Sequence, residues 1–207
     1  MAVSFDLFGT LVEVTPPDDP AQAVAVALSE RGVSIPPDWT HVYTTPHLDV
    51  PPGEELSLVD HVTVGLESRG RDVSRSVVRT SLLDAFETPI RTRAGAKAAV
   101  ASANGCGPIG ILSNCSVPGL VQHTLSQSDL VPDVFDAVVS SVECGWRKPN
   151  IHAFREISAR LDVPLSELTH IGDDLETDGG ATNAGATAIL LDDVTLSDIS
   201  REMECPE

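Results

Sequence analysis

The chain has 207 residues, room for one sizeable domain or for a domain carrying an insert. Its 31 Asp and Glu against 13 Lys and Arg give a formal charge of −18, which argues against a nucleic-acid binder, since such a protein needs a basic face. Hydrophobic residues make up 42%, enough to bury a core, so a disordered acidic tail is excluded. No run approaches 18 consecutive apolar residues, so no membrane span is expected. The segment Met1 to Gly9 has no basic region and is not read as a secretory signal, so the expected location is cytoplasmic.

In chain order, the first expected element is a short buried strand at 2–6. Further apolar strands are expected at 109–113, 137–141, 168–172 and 187–191, with helices near 92–104, 117–128, 150–161 and 178–185. Short apolar strands alternating with helices imply an α/β fold: a Rossmann-like parallel sheet of about five strands, with helices on both faces. In such sheets, ligands bind beyond the carboxyl ends of the strands. The stretch from Val14 to Thr88 breaks the alternation. It holds helical patterns near 19–32, 54–69 and 73–87, punctuated by Ile35-Pro36-Pro37 and by Pro46 to Gly53. The expected organisation is therefore a core of residues 1–14 and 91–207, with a small helical domain at 15–90.

Of the 13 basic residues, 11 are Arg, and Lys97 and Lys148 are the only lysines. An acidic, lysine-poor surface resembles proteins of salt-loving organisms. In about 1 M salt the Debye length is roughly 3 Å, which screens repulsion among carboxylates. Cys106, Cys115, Cys144 and Cys205 form no CxxC pair and read as reduced thiols.

Four patches fall where strands end. Asp6 precedes a Gly9-Thr10 turn, and Ser113 and Asn114 close the second strand. Lys148 follows the third strand in Gly145-Trp146-Arg147-Lys148-Pro149. Gly172-Asp173-Asp174 and Asp178 follow the fourth. This set suits a phosphoryl group. Carboxylates bind Mg²⁺ through oxygen, and a carboxylate can attack phosphorus. A Lys and a Ser can donate to the equatorial oxygens. A retained Lys in a chain that otherwise uses Arg points to a need for a compact point charge.

With these patches in this order, the sequence resembles the haloacid dehalogenase (HAD) superfamily along its whole length. The likeness makes residues 15–90 a cap domain. It makes Asp6 the nucleophile, with Ser113 and Lys148 as its catalytic partners. Thr10, Ser113, Asn114 and Lys148 would bind the substrate. Mg²⁺ would be held by Asp6, by the Phe8 backbone carbonyl and by Asp173, with Asp178 supporting the site. The implied partner is a small phosphorylated metabolite, and the implied reaction is phosphate monoester hydrolysis through an aspartyl-phosphate.

One departure is informative. HAD phosphatases usually carry a second Asp two residues after the nucleophile, and it protonates the leaving group. Here Phe8 stands there. General acid–base help is worth roughly 10²–10⁴-fold, so turnover on poor leaving groups is expected to be slow. The departure also opens two alternatives, a 2-haloacid dehalogenase-like hydrolase and a weakly active phosphate binder. The dehalogenases carry an aromatic residue at this position. Their fourth motif, however, lacks the acidic pair seen at Gly172-Asp173-Asp174. His41, His47 and His61 lie in the helical stretch, where one of them could replace the acid if it faced the cleft. Trp146 either lines the entrance or packs.

Overall fold

The computed structural model describes residues 1–192 and 194–202. Its centre is a five-stranded, all-parallel sheet. The strands are β1 (Ala2–Phe5), β4 (Ile109–Ser113), β5 (Ala137–Ser140), β6 (Leu168–Gly172) and β7 (Thr187–Leu190), in the spatial order β5-β4-β1-β6-β7. β1 is therefore central, with β4 and β6 on either side. Phe5 pairs in register with Ile111 and with Ile171. All four residues of β1 and all five of β4 are buried, as expected for strands covered on both faces.

Alternation along the strands sends side chains into two apolar layers. Val3, Phe5, Ile109 and Ile111 face α5 (Ala96–Cys106), α6 (Leu120–Gln127) and α10 (Leu196–Glu202). Ala2, Leu112, Val139 and Leu168 face α8 (Ile151–Arg160) and α9 (Gly180–Ala184). Gly110 of β4 lets α8 come close, because a Cβ there would strike Ile157 and the Ala137 carbonyl. The Asn150 side chain caps α8 by accepting from the His152 N–H at 3.0 Å. A short α7 (Ser141–Cys144) links β5 to the Lys148 loop.

Between β1 and α5 the chain leaves and returns through a two-stranded antiparallel ribbon, β2 (Val12–Val14) and β3 (Ile90–Thr92). The helix expected from residue 92 begins instead at Ala96, because 90–92 pair with the outgoing strand. Between the ribbon strands lie α1 (Pro20–Glu30), α2 (Trp39–Thr44), α3 (Leu58–Glu67) and α4 (Arg75–Ala85). Asp19 caps α1, with Pro20 in its first turn, and Ser74 caps α4. Val24, Leu28, Val62, Leu66, Val78 and Leu82 form the apolar interior, which is continuous with the α5 face of the sheet. Leu28 and Leu82 are fully buried. The short α2 was not expected. It is anchored by Trp39, whose indole N–H donates to the Ala21 carbonyl at 2.7 Å.

The start of α3 also differs from expectation, beginning at Leu58 rather than near 54. Gly53 sits in a turn with φ +88°, and residues 53–55 pair with the loop before Lys148. Glu54 bridges Trp146, the Glu55 N–H donates to the Gly145 carbonyl at 2.9 Å, and the Arg147 N–H donates to the Gly53 carbonyl at 3.1 Å.

Cys115 and Cys144 are free, but Cys106 is disulfide-bonded, which corrects the expectation of four reduced thiols. A disulfide needs two Cα atoms within about 7 Å, a proximity that sequence spacing does not show. The thiol count therefore supports no cellular address, and Cys205 lies outside the described residues. Among the described residues, no helix is long and apolar enough to cross a membrane.

Candidate active site

The parallel strands deliver the site. Asp6 follows the last residue of β1, Ser113 ends β4, Lys148 follows β5 and α7, and Asp173 follows β6. Asp6, Ser113, Asn114, Lys148, Asp173 and Asp178 line one cleft of about 290 Å³, together with Phe8 and Arg147.

Lys148 sits at its centre, with a side chain only 1% exposed. Its ammonium donates to Asp6 Oδ1 at 2.8 Å and to Asp178 Oδ1 at 2.5 Å. Burial disfavours the ammonium, but the charges of Asp6 and Asp178 outweigh it and push its pKa up. Asp6 is moved above the usual carboxylate range, chiefly by burial, although Lys148 opposes the shift. Burial also acts to raise Asp178. The hydrogen bond from His170 and the Lys148 charge overcome it, so Asp178 stays low and anionic.

The backbone holds this lysine in place. Asn114 accepts from the Lys148 N–H at 2.8 Å and donates to the Lys148 carbonyl at 3.0 Å. The Lys148-Pro149 peptide is cis. Asn114, expected to bind substrate, thus has its side-chain amide engaged with the Lys148 backbone. Thr10 is fully buried, and its hydroxyl donates to Asp173 Oδ1 at 2.7 Å. Gly9 has φ +88°, and a Cβ there would strike the Asp173 carboxylate, so the turn needs glycine. The Arg93 guanidinium donates to the Gly9 carbonyl, tying the turn to the base of the ribbon.

Asp178 is fixed from both sides. Its Oδ2 accepts from the N–H groups of Asp173 and Asp174, each at 3.1 Å. His170 Nε2 lies 3.0 Å from Oδ1, and His170 Nδ1 lies 2.8 Å from Ser4 Oγ. His170 is fully buried, with the Phe154 ring edge-on at 5.4 Å. Burial and the neighbouring Lys148 charge push the imidazole down to about 4, so it is neutral at pH 7. Ser4 and His170 are site residues that sequence reasoning missed. Their signal was faint: polar residues at inward positions of otherwise apolar strands.

Two further features bear on chemistry. One carboxylate oxygen from each of Asp6, Asp173 and Asp178 lies within 4.8 Å of the others, so this acidic cluster can hold a metal ion. Ser113 Oγ is buried without a hydrogen-bond partner, as is Ser140 Oγ on the neighbouring strand. An orphaned buried hydroxyl is costly unless something fills its site.

Other expected residues fall elsewhere. His47 Nε2 meets the Val42 carbonyl at 2.8 Å, and His61 Nε2 meets the Tyr43 carbonyl at 2.7 Å. His41 Nδ1 lies 3.3 Å from Thr45 Oγ1. None of the three lines the cleft. Trp146 packs on His152, with ring centroids 4.4 Å apart. Cys115 is buried, and burial pushes its thiol up to about 11, which disfavours the nucleophilic thiolate.

Comparison with known proteins fits this geometry. One segment of 58 residues is 43% identical to glyceraldehyde 3-phosphate phosphatase of Methanothermobacter thermautotrophicus, covering 28% of this chain and 26% of that protein. Another segment, of 73 residues, is 38% identical to ribulose-1,5-bisphosphate 5-phosphatase of Halopiger xanaduensis, covering 35% and 30%. The chain thus spans less than a third of either relative. Among solved structures, CbbY from Rhodobacter sphaeroides in complex with phosphate aligns with TM-score 0.60 at 20% identity, over 91% of this chain and 84% of that one. The 2-haloacid dehalogenase of Pseudomonas syringae pv. Tomato aligns with TM-score 0.62 at 19% identity, over 91% and 85%. These likenesses concern the fold. Residues 1–185 match the haloacid dehalogenase-like hydrolase family, and the chain belongs to it.

Proposed function

We propose that this hydrolase is a Mg²⁺-dependent phosphatase of a small phosphorylated metabolite, with residues 15–90 as its cap and Asp6 as its nucleophile. The observation that carries the reading is the pairing of three clustered carboxylates with one buried ammonium. Asp6, Asp173 and Asp178 offer hard oxygens, the donor set a divalent cation such as Mg²⁺ takes. Asp6, Asp173 and the Phe8 carbonyl would hold the ion, supported by Asp178. When bound, it would neutralise phosphate charge.

The chain's own groups account for the remaining steps. An Asp6 oxygen attacks phosphorus, and the bond to the ester oxygen breaks, leaving an aspartyl-phosphate on Asp6. Lys148 and the unpartnered Ser113 hydroxyl donate to phosphoryl oxygens as charge develops on them. Water then attacks the aspartyl-phosphate and releases phosphate. The departing oxygen takes its proton from solvent, because Phe8 has none to give. The phosphatases named among the relatives support the reaction class.

A test is phosphate release from a panel of monoesters, in concentrated KCl with Mg²⁺, by the native protein and Asp6→Asn. Release that requires Asp6 and stops with EDTA is expected. Equal release from both proteins would sink the reading. A second reading rests on Phe8, whose aromatic ring matches the dehalogenase branch. Metal-independent halide release from a 2-haloacid would favour that branch instead.

A further inference from the structure

Two residues that line the cleft, Arg147 and Phe8, have different surroundings. Beside Arg147, residues 53–55 pair with 145–147 by the Glu54–Trp146 bridge and its flanking hydrogen bonds. Phe8 lines the reaction cleft and also a second cavity of about 220 Å³. Phe86, Ile90 and Leu120 make the apolar wall of that cavity, and His123 and Glu87 stand on it as well. Among the described residues that line it, Glu87 is the one carboxylate and none is Lys or Arg.

We propose that this cavity receives the organic part of the substrate, and that the substrate is a monophosphate of an aryl or enol type, uncharged and partly apolar beyond its single phosphate. The proposal rests on the phosphatase reading above and names its substrate class. Three physical points converge on it. The cavity shares Phe8 with the phosphoryl site, so the two are neighbours. An apolar wall favours a ring or chain over a hydrated polyol. A second phosphate would lie beside Glu87 with no cation to compensate for its lost water, which disfavours bisphosphates. Phe8 itself agrees. With no proton donor next to the ester oxygen, the leaving group must depart as the oxyanion. It takes the P–O electron pair with it and picks up a proton from water, which aryl oxides and enolates tolerate and alkoxides do not.

The test compares phenyl phosphate, ribulose 1,5-bisphosphate and the small substrate acetyl phosphate, with thermal-shift binding of phenylphosphonate as a readout independent of turnover. Two variants, Leu120→Trp and His123→Trp, fill the cavity, and circular dichroism checks that each folds. The native protein is expected to prefer phenyl phosphate to the bisphosphate. Each filled variant is expected to lose about tenfold or more in kcat/KM for phenyl phosphate and in phenylphosphonate affinity, the scale of losing an apolar pocket. Acetyl phosphate hydrolysis should fall less than phenyl phosphate hydrolysis. Preference for the bisphosphate, or unchanged phenylphosphonate binding in folded filled variants, would overturn the proposal. Absence of Asp6-dependent release from all three substrates would overturn the phosphatase reading, and the phosphonate binding arm would still decide the pocket.

Discussion

The surroundings of Lys148 and those of Phe8 obey opposite rules. Around Lys148 the charges are matched and held: one ammonium between two carboxylates, one carboxylate shared among Lys148, His170 and two backbone N–H groups, and Asn114 gripping the lysine's peptide. Around Phe8 the contacts are apolar, and a cavity opens. The difference teaches a division of labour. Groups that meet developing charge must be preorganised, because reorganising them during the reaction costs rate. Groups that meet the rest of the substrate can be apolar and shape-based.

Removing the central charge breaks this comparison most severely. Lys148→Met leaves Asp6 and Asp178 buried without a counter-charge. Urea unfolding is expected to show a loss of about 3–5 kcal/mol, the cost of breaking a buried pair. Turnover should fall by about 10²–10³-fold, as when a transition-state donor is lost. An unchanged unfolding midpoint would mean the pair is solvated.

The next effect is smaller and separates positioning from packing. His170→Phe keeps the volume but removes the hydrogen bond to Asp178. The expected fall in kcat is about 10–100-fold, the range seen when outer partners of site ligands are lost. KM should stay close to native. His170→Gln, which keeps a donor, should recover part of the rate. Full rate per folded molecule in the Phe variant would make His170 a packing residue only.

Phe8→Asp sharpens the comparison by making both surroundings polar. Turnover on alkyl phosphates is expected to rise by up to about 10²-fold, with aryl phosphates changing less, because only the former need the proton. Initial rates on both classes check this. No rise would mean the new carboxyl does not reach the leaving oxygen.

The mildest test asks whether the paired backbone strip stays shut. Ser141 Oγ donates to Glu55 at 2.6 Å and accepts from the Cys115 N–H at 2.8 Å, which links Cys115 to the strip. Its thiol is pushed up to about 11 by burial. The sign follows from linkage: the unfolded thiol loses its proton near pH 8.5 and the folded one does not, so this group's stabilising contribution falls as pH rises from about 8.5 toward 11. Iodoacetamide at pH 8.5 should therefore label Cys115 only after urea unfolding. Rapid labelling of the native protein would show the strip open.

Much of this was legible from residues alone. All five core strands lie within about a residue of their expected bounds, because strands covered on both faces need unbroken apolar runs. The order of the four patches likewise placed Asp6, Ser113, Lys148 and Asp173 on one cleft, because parallel strands bring their carboxyl ends together. The β2–β3 ribbon was not legible. Its strands are three residues each and their pairing partners are distant in sequence. The roles of Asn114 and Thr10 also turned on tertiary contacts. Both are polar residues at the expected positions, yet their side chains are committed to the Lys148 backbone and to Asp173.

By itself, the sequence determined the α/β class, the order of the site motifs and the presence of Phe8 two residues after Asp6. These are local matters of residue type and periodicity. The tertiary structure alone decided that Ser4 and His170 brace Asp178, that residues 53–55 pair with the loop before Lys148, and that Phe8 also lines a second cavity. Each of these depends on residues far apart in the chain meeting at a few ångströms. Such meetings are fixed by how the strands, the ribbon and the helices pack, and no single stretch of sequence contains them.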